Sequence, residues 1–192
     1  MGLSDLFKPR RQAVAERVAV WTFRTLTNPS FKKLNLTPFQ EAGCTLDEAA
    51  AMREFYYLLQ VGNHVAIVDR TRNPNKATDL MQRCTDALTP MLQKAGLWPL
   101  EDSAHVSLEY IQRKEELISA LEEAPREKGG NFPMASLPPA LRISADYLLG
   151  PGPRVVYPIW AVPLLGGLFQ MQVSGCKMLL EGRRLPWWYS RS

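Results

Sequence analysis

A run of 22 residues without a charged side chain occupies positions 155–176. A bilayer core is crossed by about 20 mostly apolar residues, so this run is long enough for a membrane span. Basic and aromatic side chains just outside such a run are typical of the membrane interface. The span and its interface would comprise Arg154, Trp160, Gln170, Gln172, Lys177, Arg183, Arg184, Trp187, Trp188 and Tyr189.

Four residues in this run argue against a simple span. Pro158 and Pro163 remove backbone hydrogen-bond donors, and the amides of Gln170 and Gln172 are costly in lipid without a partner. In a bilayer, we expect the prolines near one interface and both glutamines facing another protein chain. The alternative is a pair of proline-interrupted segments buried against the rest of the chain.

The two ends of the chain are basic and the middle is acidic. Residues 1–40 carry seven basic and two acidic side chains, residues 41–146 carry eleven and sixteen, and residues 147–192 carry five and one. Such an asymmetry is typical of chains that contact an anionic surface, either nucleic acid or lipid headgroups. The alternative is an ordinary solvated surface.

The N-terminal region predicts a basic amphipathic helix over residues 10–27. Val14, Val18 and Trp21 recur at helical spacing, while basic residues take other positions. We expect the apolar side to dock on a partner protein or a lipid surface. A basic, acid-poor start of this kind resembles an organellar targeting helix, whereas no apolar stretch indicates a secretory signal. The basic residues of this docking surface are Arg11, Arg17 and Arg24.

The middle of the chain predicts a mainly α, bundle-like helical core. The predicted helices run over 46–72 after a capping box at Thr45 and Glu48, over 76–95, and over 103–124. Gly62 and Pro90 are expected to loosen, kink or break their helices. The facing apolar stripes are Leu80, Cys84, Leu88 and Met91 on one helix and Leu108, Ile111, Ile118 and Leu121 on the next.

Four regions follow from this pattern. Eight of the fifteen prolines fall between 125 and 163, which indicates an arm, with a short helix from Pro138 to Leu149. The regions are a basic N-terminal helix and connector at 1–44, the helical core at 45–124, the proline-rich arm at 125–153, and the uncharged segment with a basic aromatic tail at 154–192.

Motifs for catalysis, metal binding or cofactor binding are not found. The chain has two histidines and three widely spaced cysteines, with no CxxC, HExxH, GxSxG or phosphate-binding loop. The cysteines favour a reducing compartment rather than a disulfide framework. We therefore predict no catalytic, metal or cofactor site. The best candidates for binding nucleic acid are the basic side chains between Arg70 and Lys76, together with those near the N-terminus.

The sequence thus favours a non-catalytic accessory subunit that braces a larger membrane-bound complex. Its expected partners are other protein subunits and the lipid bilayer, on the side of a reducing compartment, and the targeting-like helix favours a mitochondrial inner membrane. The alternative is a helical RNA-binding component of a ribonucleoprotein particle, which would use the basic ends on phosphate.

Overall fold

The computed structural model describes residues 10–42, 47–98, 103–122, 138–149 and 160–186. These residues confirm a mainly α fold, since they contain helices and no strand. The helices are α1 (Arg10–Thr27), α2 (Pro29–Phe31), α3 (Thr37–Glu41), α4 (Glu48–Thr71), α5 (Pro74–Lys94), α6 (Ser103–Glu122), α7 (Pro138–Leu149) and α8 (Ala161–Leu180), with a π-helical turn at Lys32–Leu36 between α2 and α3.

Helix α4 lies at the centre and contacts α1, α5, α6, α7 and α8. Asp47 is its N-cap residue, and the Oδ1 of Asp47 accepts a 2.7 Å hydrogen bond from the Ala50 amide. The expected cap Thr45 lies outside the described residues. The helix continues through Gly62, where an added Cβ would lie 3.2 Å from Gln172. Gly62 therefore permits close approach of α8, and the predicted break there is wrong.

Helix α1 has the predicted bounds, but its apolar side faces the protein's own core. Val18 and Trp21 are buried, and the helix packs along α5 and against α4 and α8. The prediction that Val18 and Trp21 dock on an outside partner is therefore corrected. The physical reason is that the apolar side of an amphipathic helix is buried against the core, and here the core is formed by the neighbouring helices of the same chain.

Helices α5 and α6 confirm their predicted positions but not all of their predicted faces. Helix α5 runs past Pro90 without a break, and Leu92 is buried in place of Met91. In α6, Leu108 and Ile111 are 54% and 48% exposed. The predicted burial of these two side chains is wrong, because α6 instead directs Arg113 towards α4. The buried leucines of this helix are Leu117 and Leu121.

The uncharged run supplies the core helix α8. No helix within the described residues is both long and apolar enough to cross a membrane, so the expected span is not supported. Instead, α8 packs on α4, α7 and α1, with Leu165 and Phe169 fully buried. Pro163 lies in its first turn, where a missing backbone donor costs little. Burial within the protein accounts for the lack of charge.

Candidate anion-binding cavity

A cavity of about 370 Å³ lies where the first turns of α1 and α5 meet the last turns of α4 and α8. Its lining combines cationic and apolar side chains. The lining residues are Arg10, Arg11, Val14, Arg70, Thr71, Lys76, Leu80 and Leu180.

The connection from α4 to α5 places two of the basic residues on either side of a tight turn. Arg72 has a left-handed backbone (φ 50°), and its amide donates to the Val68 carbonyl at 3.2 Å, which ends α4. Asn73 then caps α5, its Oδ1 accepting a hydrogen bond from the Lys76 amide at 3.0 Å. The chain therefore reverses between Arg70 and Lys76, and both line the cavity.

The other two bases arrive from the start of α1, because this helix packs along α5. Arg11 lies near Asp79 of α5, with 3.7 Å between Nη1 and Oδ2. Asp79 is engaged more closely by Arg83, whose Nε lies 3.0 and 3.1 Å from the two carboxylate oxygens. The hydrogen bond from Arg83 is the main reason why the pKa of Asp79 is lowered. Asp79 is therefore shared between two cations and leaves a net positive charge.

Two other acids near this end of the bundle are paired with bases that do not line the cavity. Lys177 Nζ lies 2.5 Å from Asp69 Oδ2, and Arg183 Nε lies 3.0 Å from Glu181 Oε2. Within the described part of the chain, no ion pair neutralises Arg10, Arg70 or Lys76. The cavity thus holds a cluster of cations with little opposing charge, which favours binding of an anion.

The expected docking residues of α1 separate into four locations. Arg11 and Val14 line the cavity, whereas Val18 and Trp21 belong to the core. Arg17 donates to the Leu179 carbonyl at 3.4 Å, at the end of α8. Arg24 is exposed further along α1.

The expected membrane residues are likewise dispersed. Gln172 is buried, and its Nε2 donates to Thr22 Oγ1 at 2.9 Å and to Asn63 Oδ1 at 2.8 Å. The expectation that Gln172 faces another chain is corrected, since its donors are used within this fold. Gln170 is half-buried, and Arg183 and Arg184 are exposed. The partly exposed Trp160 contacts Phe39 in an edge-to-face arrangement, and Lys177 pairs with Asp69. Arg154, Trp187, Trp188 and Tyr189 lie outside the described residues.

Sequence reasoning found part of this site and missed its assembly. Arg70 and Lys76 were singled out as bases, and the Asn73-Pro74 pair between two predicted helices already indicated that both flank one turn. No motif in the sequence indicated that α1 would pack along α5. The apolar lining was also missed, because the sequence pattern predicts Leu80 to be a core residue and gives no signal for Leu180.

The described residues offer little for covalent or metal chemistry. They contain no group of three or more His, Cys, Asp or Glu side chains placed to hold a metal ion. Cys84 and Cys176 are buried free thiols, and burial raises the pKa of Cys84 to about 12, so it is not a reactive thiolate at neutral pH. The cavity between α1, α4, α5 and α8, with its cluster of basic side chains, is the candidate ligand-binding site.

Comparison with known proteins finds no match to this chain, whether among protein-family models, curated proteins or solved structures.

Proposed function

We propose that this protein is a non-catalytic accessory subunit that attaches to the anionic surface of a membrane-bound complex through its basic cavity. The observation that carries the proposal is the convergence of four bases, Arg10 and Arg11 with Arg70 and Lys76, on one cavity. Each base close to an anionic membrane surface contributes on the order of 1 kcal/mol to binding. The proposal concerns attachment at the surface, with no helix of the described chain crossing the bilayer.

The lining favours lipid over RNA, the alternative anionic partner. Single-stranded RNA is commonly held by aromatic side chains on which its bases stack, together with a basic groove. Among the described residues that line this cavity none is aromatic, whereas Val14, Leu80 and Leu180 give it an apolar part. An organellar location remains part of the proposal and rests on the basic sequence of residues 10–27 alone.

Vesicle sedimentation tests the proposal. We expect the full chain to pellet with vesicles of phosphatidylcholine and phosphatidylglycerol and to stay in solution with phosphatidylcholine alone. The double variant Arg70→Gln with Lys76→Gln should weaken binding about thirtyfold, because two surface charges are lost. The matched control is Arg24→Gln with Lys94→Gln, which removes the same charge from exposed positions outside the cavity.

The control should bind much more tightly than the cavity variant. Equal weakening of both would mean that net charge, and not the cavity, attaches the protein. Binding to a single-stranded RNA that exceeds binding to anionic vesicles at the same salt concentration would favour the ribonucleoprotein alternative.

A further inference from the structure

We infer that the cavity is a stoichiometric site for one phosphate-bearing headgroup of an anionic phospholipid, with the glycerol and the start of the acyl chains seated on its apolar lining. The inference rests on the proposed function and deepens it, since general attraction to a charged surface needs no built site.

The size of the cavity suits a single bound molecule. Sites for single small molecules occupy about 300–1,000 Å³, and this cavity measures about 370 Å³. That volume suits one headgroup with the beginning of its hydrophobic part. A flat basic face would suit diffuse attraction equally well, but it would offer no recess of this volume.

The polar side of the lining suits a phosphate group. Arg10, Arg11 and Arg70 present guanidinium groups, whose forked donors match phosphate oxygens. The Thr71 hydroxyl donates to the Ile67 carbonyl at 2.8 Å, and the Lys76 amide donates to Asn73. These two donors are already used, so recognition of the anion falls to the charged side chains, including the Lys76 ammonium.

The apolar side of the lining identifies lipid as the source of the phosphate. Val14, Leu80 and Leu180 come from three helices and line the same cavity as the bases. A free phosphate or a sugar phosphate would leave the half-buried Val14 and Leu180 side chains against water. The first methylene groups of an acyl chain would cover them, and burial of each methylene would strengthen binding.

Calorimetric titration of the full chain tests this inference with three soluble probes. They are dihexanoyl phosphatidic acid, glycerol 3-phosphate, and dihexanoyl phosphatidylcholine, all below the concentration at which the lipids form micelles. We expect one molecule of the phosphatidic acid to bind per chain, more than about tenfold tighter than glycerol 3-phosphate, because at least two methylene groups are buried. The zwitterionic lipid should bind more weakly than the phosphatidic acid.

Two variants separate the polar and apolar parts. Leu180→Ser, at a half-buried position near the end of α8, should weaken binding of the phosphatidic acid and leave that of glycerol 3-phosphate unchanged. Arg70→Gln with Lys76→Gln should weaken binding of both anions. The exposed pair Arg24→Gln with Lys94→Gln should change neither.

The outcomes separate this inference from the function on which it rests. Equal affinity for glycerol 3-phosphate and the phosphatidic acid would overturn lipid as the source and indicate a water-soluble phosphate compound. No saturable binding of any probe, with vesicle binding still dependent on Arg70 and Lys76, would overturn the single-lipid site and leave surface attachment standing. Absence of vesicle binding would overturn both.

Discussion

A buried ion pair joins α4 to α6 and explains the orientation of α6. Arg113 Nη2 lies 2.6 Å from Glu54 Oε1, both side chains are 4% exposed, and the guanidinium lies 3.4 Å from the centre of the Tyr147 ring on α7. Within α6, the spacing of four residues between Glu109 and Arg113 would favour a local ion pair. A local pattern cannot reveal a partner that lies 59 positions earlier in the chain.

Replacing Arg113 with Met should destabilise the fold by about 3–5 kcal/mol, because it leaves the Glu54 carboxylate buried without its partner. The matched control is Glu116→Gln, which removes the more exposed carboxylate that also pairs with Arg113, and it should change stability by less than about 1 kcal/mol. Urea unfolding monitored by circular dichroism measures both. A small, equal effect of the two substitutions would contradict the buried pair.

His64 should make the fold less stable in mild acid. Its Nδ1 is buried without a hydrogen-bond partner in the described part of the chain, and burial lowers the pKa of the imidazole from 6.5 to about 4. The folded state therefore binds the proton less readily than the unfolded state, so stability falls as pH drops from 6.5 towards 4. The loss of stability between pH 7 and pH 4.5 should be smaller in His64→Gln than in the natural protein. An identical loss in both would contradict this role.

At the scale of elements, alanine substitutions at two glycines of α8 should change the stability of the fold in opposite directions. A Cβ at Gly175 would overlap the Trp21 ring of α1, whereas a Cβ at Gly167 meets nothing within 4 Å. Gly175→Ala should therefore lower the thermal midpoint markedly, since the indole must move. Gly167→Ala should raise stability by about 0.5–1 kcal/mol, because alanine is the better helix former. Similar changes for the two substitutions would show that α1 does not pack on α8 in this way.

The face of α6 can be tested with two truncations. Leu117 is fully buried and Ile111 is 48% exposed. Leu117→Ala should cost about 2–5 kcal/mol, as expected for a core leucine. Ile111→Ala, which the sequence pattern alone had placed in the core, should cost much less. Denaturant midpoints that reversed this order would restore the original apolar stripe.

Helix positions could be predicted from local sequence, whereas helix environments could not. The bounds of α1 and α7 follow from periodicity and proline placement and were predicted correctly. The run 155–176 was ambiguous, because a helix that is apolar on all sides suits either a bilayer or the centre of a protein. The deciding contacts, Gln172 with Thr22 and Asn63, join residues more than 100 positions apart.

At the scale of the whole molecule, the fold collects charges that are distant in sequence. The asymmetry between basic ends and an acidic middle predicted an anionic partner, and Arg70 and Lys76 were recognised as candidates within the acidic middle. Their meeting with Arg10 and Arg11 depends on how α1 packs along α5. That packing is a tertiary property, so the sequence could suggest the chemistry of the site but not its shape.

Extraction of membranes from cells that produce this protein tests the central claim most directly. At low salt, we expect the chain to sediment with membranes, in a particle larger than the single chain after mild detergent. Alkaline carbonate or high salt should release it, because charge attraction holds it at the surface. A chain that stays in the low-salt supernatant, or that resists carbonate extraction, would contradict attachment through the basic cavity.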